Sequence, residues 1–175
     1  MFADLGIPIW DADQAVHRLY GQGGGAVHAM AARFPQAIEN GAVSRKILKE
    51  IITLDRGALS AIEAVVHPLV ALDRLEFMAG ATSDMVVLDI PLLFENDLQD
   101  SVDATLLVTA PASLQRRRVL DRAGMTEDHL ATILARQMPD AMKRQRATHI
   151  VETLDFAATR AYVAALVTYL RAAHA

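Results

Sequence analysis

The amino-acid sequence predicts an α/β fold with a mostly parallel sheet. Three apolar runs rich in β-branched residues have the unbroken pattern typical of buried parallel strands: Ile7–Trp10, Met85–Asp89 and Ala104–Thr109. Ile150–Val151 is a candidate for a fourth, shorter strand. Segments with helical periodicity separate these runs, as in folds that alternate strands and helices. The chain has 175 residues, 53% of them apolar, which suffices for a globular domain with a buried core.

The first residues are interpreted as the end of a helix. Met1–Leu5 precede Gly6, and a glycine just past a helix end often takes the left-handed conformation. Five residues are too few to nucleate a helix alone. We therefore expect this helix to begin upstream of Met1.

The stretch between Gln14 and Gly80 has helical patterns and no convincing strand. Glycine- and proline-containing segments interrupt these patterns, and Pro68 is expected to break a helix just after His67. We interpret this stretch as a separate helical lobe inserted between two strands. The predicted bounds are 14–83 for the lobe, with 1–13 and 84–175 for the α/β core.

Capping and breaking signals place the later helices. Pro111 and Pro139 each stand where a first helical turn begins. Thr126 can cap a helix, and Asp155 can cap the long last helix. Gly124 is expected to stop the helix that starts at Pro111.

Composition excludes several classes of protein. No stretch approaches the ~20 apolar residues of a membrane-spanning helix, and the N-terminus lacks the basic start of a signal peptide. The chain has no cysteine, and its six histidines show no metal-ligand spacing, so we predict no metal site built from side chains. These features favour a cytoplasmic protein without membrane association.

The charge is unevenly distributed along the chain. The net charge is −4, yet residues 115–146 carry eight Lys or Arg against four acidic residues, which leaves −8 on the remainder. This split favours one anion-binding segment in a protein that is not a general nucleic-acid binder. A solvated basic helix face is the alternative.

Within the basic segment, Arg118 and Arg122 lie four residues apart and would share one helix face. They make a plausible phosphate clamp, because the planar guanidinium binds phosphate oxygens bidentately. Lys143, Arg144 and Arg146 could close over such a phosphate.

Acidic residues follow two of the predicted strands. Asp11 and Asp13 come at the carboxyl end of the first, where open α/β sheets place their ligand sites. If the strand continues, both carboxylates face one ligand; in the alternative, one of them caps a helix that begins near Gln14. The second strand repeats the arrangement, with Asp89 followed by an apolar loop that ends in Glu95.

Three further features have competing interpretations. Leu92 and Phe94 of that loop are more often core residues than ligand contacts. Arg45 stands at a predicted helix start and either contacts an anion or is solvated, whereas His67 is more often structural. Acids at strand ends and a basic segment suggest phosphoryl transfer, but a glycine-rich phosphate loop is missing: "GQGGG" at 21–25 follows no strand and lacks Gly-Lys-Ser/Thr.

Together these motifs resemble the dephospho-coenzyme A kinase family. The matching stretches cover almost the whole chain and follow the family's order: "DADQAVH" (11–17), "GAVSRKIL" (41–48), "VVHPLV" (65–70), "VVLDIPLLFE" (86–95), "RRRVLDRAGMTEDHLATILARQ" (116–137) and "KRQRATHIV" (143–151).

The resemblance implies a P-loop-kinase-like three-layer fold with an inserted helical substrate lobe and a helical lid within about 114–147. It implies transfer of the γ-phosphate of ATP, with Mg²⁺, to the ribose 3′-hydroxyl of dephospho-coenzyme A. Asp13 would orient or deprotonate that hydroxyl with Asp11 beside it, and Arg118 would stabilise the transferring phosphoryl group.

The same resemblance implies which residues bind the two substrates. The residues implied on the coenzyme side are Arg45, His67, Pro91, Leu92 and Glu95. Lys143 would belong to the lid side, where Arg122 is the second predicted contact to ATP. The oligomeric state is not predicted.

The chain departs from the family's pattern in two places. The family usually has Asn and Gly after the last strand, where this chain has "ETLD" at 152–155, so the adenine contacts expected from that loop do not carry over. The family's first, central strand and its P-loop would lie before Met1. We therefore expect the 175 residues alone to be inactive. Two rivals stay open: another small-molecule P-loop kinase, and a non-catalytic protein that binds the coenzyme.

Overall fold

The computed structural model describes residues 1–55 and 57–173, which pack into two compact units. The N-terminal unit is Gly6–Ile90, and the C-terminal unit combines Met1–Leu5 with Pro91–Ala175. The two units group residues that pack together, and their bounds differ from those of the predicted core and inserted lobe. The predicted division into a core and an inserted lobe therefore stays a prediction.

The N-terminal unit is mainly helical, with a parallel strand pair and a small hairpin. Its elements are β1 (Ile9–Asp11), α1 (Ala12–Tyr20), α2 (Val27–Arg33), β2 (Ile38–Glu39), β3 (Ala42–Val43), α3 (Arg45–Leu54), α4 (Ala58–Gly80) and β4 (Val87–Asp89). β1 and β4 pair in parallel, with Trp10 opposite Leu88 and Asp11 opposite Asp89. The carboxyl ends of these two strands therefore lie side by side.

The core of the N-terminal unit lies among its helices. Met30 of α2 is fully buried, and Leu48 of α3 and Val66 of α4 are buried in the same cluster. On α4 the buried residues Ala58, Ile62 and Val66 recur every four positions, which is the spacing that packs one face of a helix against its neighbours. Asp73 of α4 accepts hydrogen bonds from Trp10 Nε1 of β1 and from Arg18 Nη2 of α1, and so connects α4 to both elements.

Two sequence predictions for this unit are wrong. The stretch contains an antiparallel hairpin, β2–β3, turned by Asn40 and Gly41 at φ values of 50° and 75°. Asn-Gly is the sequence that two-residue hairpin turns prefer, so the turn forms where only a break in helical pattern is predicted. Pro68 lies inside α4 without ending it. Proline removes one backbone N–H donor from the helix, but the apolar face of α4 packs against its neighbours both before and after Pro68 and keeps the helix continuous.

The C-terminal unit holds the second parallel strand pair. Its elements are β5 (Leu106–Thr109), α5 (Ala112–Leu120), α6 (Glu127–Leu134), α7 (Asp140–Arg146), β6 (His149–Glu152) and α8 (Phe156–Ala173). β5 and β6 pair in parallel from Leu106 opposite His149 to Thr109 opposite Glu152. The predicted α/β fold with parallel strands is confirmed. In the described residues β5 has this single strand partner, and Val108 at its middle is 62% exposed.

Two of the predicted capping residues of this unit are confirmed. Thr126 Oγ1 accepts the His129 N–H at 3.2 Å and caps α6, and Asp155 Oδ1 accepts the Ala158 N–H at 2.8 Å before α8. Gly124 has a left-handed φ of 77°, but α5 ends earlier, at Leu120 with Asp121 as its cap, so Gly124 turns the chain after the helix and does not end it.

The N-terminal residues behave as the sequence indicates. Ala3–Leu5 form one turn of 3-10 helix, and Gly6 follows with a φ of 74°. Asp4 binds Arg160 of α8 at 3.0 Å. That this turn continues a helix from upstream stays a prediction. Among the described residues, no helix combines the length and hydropathy that a membrane span requires.

Candidate active-site residues

Three carboxylates gather at the carboxyl ends of β1 and β4; we call Asp11, Asp13 and Asp89 the acidic cluster. Asp11 and Asp89 are the last residues of the two strands and lie opposite each other in register. β1 ends at Asp11, so strand alternation does not align Asp13 with it. Asp13 instead projects from the first turn of α1, which begins at Ala12.

The acidic cluster is electrostatically coupled. The pKa of Asp89 is raised above its ordinary value by partial desolvation and then by the negative charges of Asp11 and Asp13. Asp89 is exposed, so its desolvation is only partial. The repulsion from Asp11 and Asp13 shows that the three negative charges of the cluster lie close together. Such a concentration of charge attracts a cation or a proton.

The members of the acidic cluster are not equivalent. Asp11 Oδ1 accepts the Gln14 N–H at 2.9 Å and caps α1, so the capping interpretation holds for Asp11. In the part of the chain that the structure describes, Asp13 is exposed and has no hydrogen-bond partner. Asp89 was noted in the sequence but not selected as a site residue, although its position after a strand was the same signal as for Asp11.

Two further predicted contacts lie on helices of the N-terminal unit. Arg45 is the first residue of α3, and its guanidinium stands 5.8 Å from the centre of the Tyr20 ring, a cation–π distance. His67 is exposed on α4, beside Pro68. The packing of the helix does not use the imidazole, which leaves it available to a ligand.

In the C-terminal unit, Glu95 and Lys143 bind each other. Lys143 Nζ lies 2.7 Å from Glu95 Oε1, with side-chain exposures of 15% and 13%. The Met138 N–H donates to the same oxygen at 2.9 Å, while Glu95 Oε2 is buried without a partner in the described residues. Burial alone would raise the pKa of Glu95, but the hydrogen bonds from Lys143 and Met138 outweigh it and the pKa is lowered.

The loop before Glu95 divides its side chains between core and surface. Phe94 is 5% exposed, as the core interpretation predicts, whereas Leu92 is 41% exposed and Pro91 is exposed as well. Pro91 and Leu92 therefore stay available as ligand contacts, and Phe94 does not.

A cavity of about 650 Å³ lies wholly within the C-terminal unit. Arg118, Arg122 and Lys143 line it and give it a positive wall. α5 ends at Leu120, so Arg122 is not on a shared helix face with Arg118; the two meet in the cavity because the chain turns there. Arg118 binds Thr153 through two hydrogen bonds, of 2.9 and 2.7 Å.

Most other cations of the basic segment are already paired. Arg116 binds Glu127, Arg144 binds Asp140 and Glu152, and Arg146 binds Asp97. Lys143 is paired as well, with Glu95, so any contact of Lys143, Arg144 or Arg146 to a phosphate stays a prediction. The Arg122 guanidinium lines the cavity without a hydrogen-bond or ion-pair partner among the described residues.

Comparisons with known proteins show the family of this chain. The family model described as dephospho-CoA kinase matches residues 1–155. A dephospho-CoA kinase from Cereibacter sphaeroides is 56% identical over 98% of this chain and 87% of its own length. The corresponding protein from Jannaschia sp. is 50% identical over 97% of this chain and 88% of its own.

The chain belongs to the dephospho-CoA kinase family.

Two solved structures have a fold similar to that of this chain. A crystal structure titled TT1252, from Thermus thermophilus, has a TM-score of 0.79 at 34% identity, over 95% of this chain and 87% of that one. A dephospho-CoA kinase from Campylobacter jejuni has a TM-score of 0.74 over 99% of this chain and 89% of that one, at 20% identity, and supports the fold. Members of the family phosphorylate dephospho-CoA in coenzyme A biosynthesis, which makes ATP and dephospho-CoA the substrates.

A magnesium ion would have to be held jointly by protein carboxylates and by the phosphates of ATP. In the described residues, no group of three or more His, Cys, Asp or Glu side chains could hold a metal on its own. Mg²⁺ in kinases is usually held by one or two carboxylates together with substrate phosphates. The acidic cluster, whose mutual repulsion raises the pKa of Asp89, offers carboxylates of that kind.

The ion pair between Glu95 and Lys143 leads to a stability prediction. Lys143→Met is expected to lower the free energy of unfolding by about 3 kcal/mol, because it leaves the Glu95 carboxylate buried without its cation. Glu95→Gln with Lys143→Met should lose much less, since no charge is then stranded. Urea unfolding at pH 7 measures both changes.

The pH dependence follows from the lowered pKa of Glu95. Its contribution is present above the ordinary value of 4.5 and disappears as the pH falls through the lower folded pKa. The Glu95→Gln protein should therefore lose less stability on acidification than the unsubstituted protein.

Arg116→Met is the control for Lys143→Met. It breaks the exposed pair with Glu127, and the expected loss in the free energy of unfolding is below about 1 kcal/mol. Equal losses for Lys143→Met and Arg116→Met would show that burial does not strengthen the pair.

Proposed function

We propose that this chain phosphorylates the ribose 3′-hydroxyl of dephospho-coenzyme A with the γ-phosphate of ATP. The observation that carries the proposal is the acidic cluster at the carboxyl ends of two parallel strands, in a chain of the dephospho-CoA kinase family. The proposal includes Mg²⁺ as the companion of ATP and a cytoplasmic location, which rests on the sequence features described above.

Asp13 is proposed to orient the acceptor hydroxyl and to take its proton. Asp11 is committed to the cap of α1, and its carboxylate stabilises the turn that carries Asp13. The pKa of Asp89 is raised, so Asp89 holds a proton more readily than an ordinary carboxyl. Asp13 is exposed and has no competing partner among the described residues, which leaves its oxygens free for a hydroxyl.

Arg118 is proposed to stabilise the charge of the transferring phosphoryl group. It lines the cavity of the C-terminal unit together with Arg122 and Lys143, which are proposed as contacts to ATP. Phosphoryl transfer depends on positioning and on fixed positive charge rather than on covalent chemistry, and arginine supplies both.

The coenzyme is proposed to contact Arg45, His67, Pro91, Leu92 and Glu95. The first two are a cation and an exposed imidazole on helices of the N-terminal unit. Pro91 and Leu92 offer exposed apolar surface. Glu95 has a buried Oε2 without a partner in the described residues, while its Oε1 binds Lys143.

The proposal is tested by Arg118→Ala in a form that can hold ATP. This P-loop form places a strand, a G-x-x-x-x-G-K-S/T loop and a helix in front of Met1. Turnover is expected to fall by roughly 10²–10³, as for the loss of other transition-state charge contacts. The affinity for dephospho-coenzyme A, measured by calorimetry, should change little.

Arg116→Ala is the matched control, because Arg116 is on the same helix but pairs with Glu127. It should keep near-normal turnover. Near-normal turnover of the Arg118→Ala enzyme would refute the role of Arg118. Faster phosphorylation of another nucleoside or pantetheine compound than of dephospho-coenzyme A, in a panel of acceptors, would refute the substrate.

A further inference from the structure

Thr153, just after β6, holds the guanidinium of Arg118 from two sides. Arg118 Nη1 donates to Thr153 Oγ1 at 2.9 Å, and Nη2 donates to the Thr153 carbonyl oxygen at 2.7 Å. We propose that Thr153 is a positioning residue that fixes this guanidinium for phosphoryl transfer. The inference rests on the proposed function, because it takes the catalytic role of Arg118 as given.

The Thr153 hydroxyl is itself fixed by β5. Its Oγ1 donates to the Thr109 carbonyl oxygen at 3.0 Å, and the Thr153 N–H donates to the same oxygen at 2.8 Å. A hydroxyl has one proton to donate, so this bond leaves only oxygen lone pairs to face Arg118. The direction of the Thr153–Arg118 hydrogen bond is thereby set by Thr109, the buried last residue of β5.

The carbonyl that anchors Thr153 belongs to a residue with little freedom. Thr109 is buried, and its own hydroxyl donates to Asp140 Oδ1 at 2.6 Å while accepting from Gln115 Nε2 at 3.2 Å. These bonds tie β5 to α5 and α7, the two helices that flank the cavity. Thr153 therefore connects the Arg118 side chain, which lines the cavity, to Thr109 of β5 through hydrogen bonds.

The geometry leaves most of the guanidinium available to a substrate. Arginine carries five N–H donors in one plane, and Thr153 uses two of them. The remaining three can meet phosphate oxygens. An arginine side chain is long and flexible, so holding its plane before the substrate arrives removes rotamer freedom that would otherwise be lost during the reaction.

The experiment replaces the hydroxyl without changing the shape of the side chain. In the P-loop form, Thr153→Val is expected to lower kcat about tenfold, since a hydrogen bond to a charged group is worth roughly that factor or more. The KM for dephospho-coenzyme A should stay within about twofold, and Thr153→Ser should restore kcat. Thr168→Val, which removes a hydroxyl bonded to Ala164 on α8, is the control and should leave kcat unchanged.

The double variant separates this inference from the proposed function. If Thr153 acts through Arg118, Thr153→Val should cause no further loss in an Arg118→Ala background. Should Arg118→Ala slow turnover while Thr153→Val alone does not, the positioning role is wrong and the proposed function stands. A higher kcat of Thr153→Val would also overturn it, because Thr153 would then be holding Arg118 away from the reaction. Near-normal turnover of Arg118→Ala would overturn both the positioning role of Thr153 and the proposed role of Arg118.

A second readout uses the 175-residue chain itself. Nuclear magnetic resonance of the arginine side chains, with the Arg118 signal assigned through Arg118→Lys, reports how freely the guanidinium rotates. Thr153→Val should speed that rotation and Thr168→Val should not. Unchanged rotation in Thr153→Val would show that the hydroxyl does not hold Arg118.

Discussion

A protein made of residues 1–175 alone is expected to transfer no measurable phosphate from ATP to dephospho-coenzyme A. P-loop kinases hold the β- and γ-phosphates with the backbone N–H groups and the lysine of a glycine-rich loop. The 175 residues contain no G-x-x-x-x-G-K-S/T sequence, and "GQGGG" at 21–25 forms turns between α1 and α2. A coupled assay of ADP release measures this rate.

The P-loop form, assayed beside the 175-residue protein, is the reference for that measurement. Replacing the lysine of its loop by alanine should return turnover to the level of the shorter protein. Calorimetric binding of dephospho-coenzyme A to residues 1–175 would show that the shorter protein is folded. Turnover above background by residues 1–175 would mean that other groups can cradle the phosphates.

Asp13→Asn in the P-loop form is expected to reduce turnover by roughly 10²–10⁴, the usual contribution of a positioned general base. Asparagine keeps the size of the side chain and its hydrogen bonding but cannot take a proton. Stability should change by less than about 1 kcal/mol, because the only folding contribution expected of this exposed carboxylate is its interaction with the start of α1. Steady-state kinetics and thermal unfolding measure the two effects.

Asp128→Asn is the matched control for Asp13. Asp128 is also an exposed acid in the first turn of a helix, here α6. Its substitution should have a similarly small effect on stability and none on turnover. If Asp13→Asn kept its activity and instead lost many degrees of Tm, Asp13 would be a structural residue of α1.

The parts of the fold that depend on neighbouring residues could be predicted from the sequence. Thr126 and Asp155 cap helices through bonds to residues three positions later, and Gly124 turns the chain through its own φ value. The strands were predictable from their unbroken apolar runs, although Ile9 of β1 and Val108 of β5 are exposed. Pro68 shows the limit, because the packing of α4 outweighs a local preference.

The candidate site was predictable in its residue types and less so in its pairings. Asp11 and Asp13 were identified from their place after a strand, and the structure adds Asp89 through strand register. That Glu95 and Lys143 bind each other depends on a contact across 48 positions of sequence, which no motif spacing encodes. Thr153 was missed for the same reason.

The single-sided pairing of β5 has a consequence for how the 175-residue protein behaves at high concentration. Residues 104–110, "ATLLVTA", contain no charge and no proline, and the strand within them has one hydrogen-bonded neighbour in the described residues. An apolar strand with a free edge is a template for other chains, and short uncharged segments of this composition stack readily into cross-β assemblies. Residues 104–110 are thus an aggregation hazard of the 175-residue protein wherever this edge of β5 is uncovered.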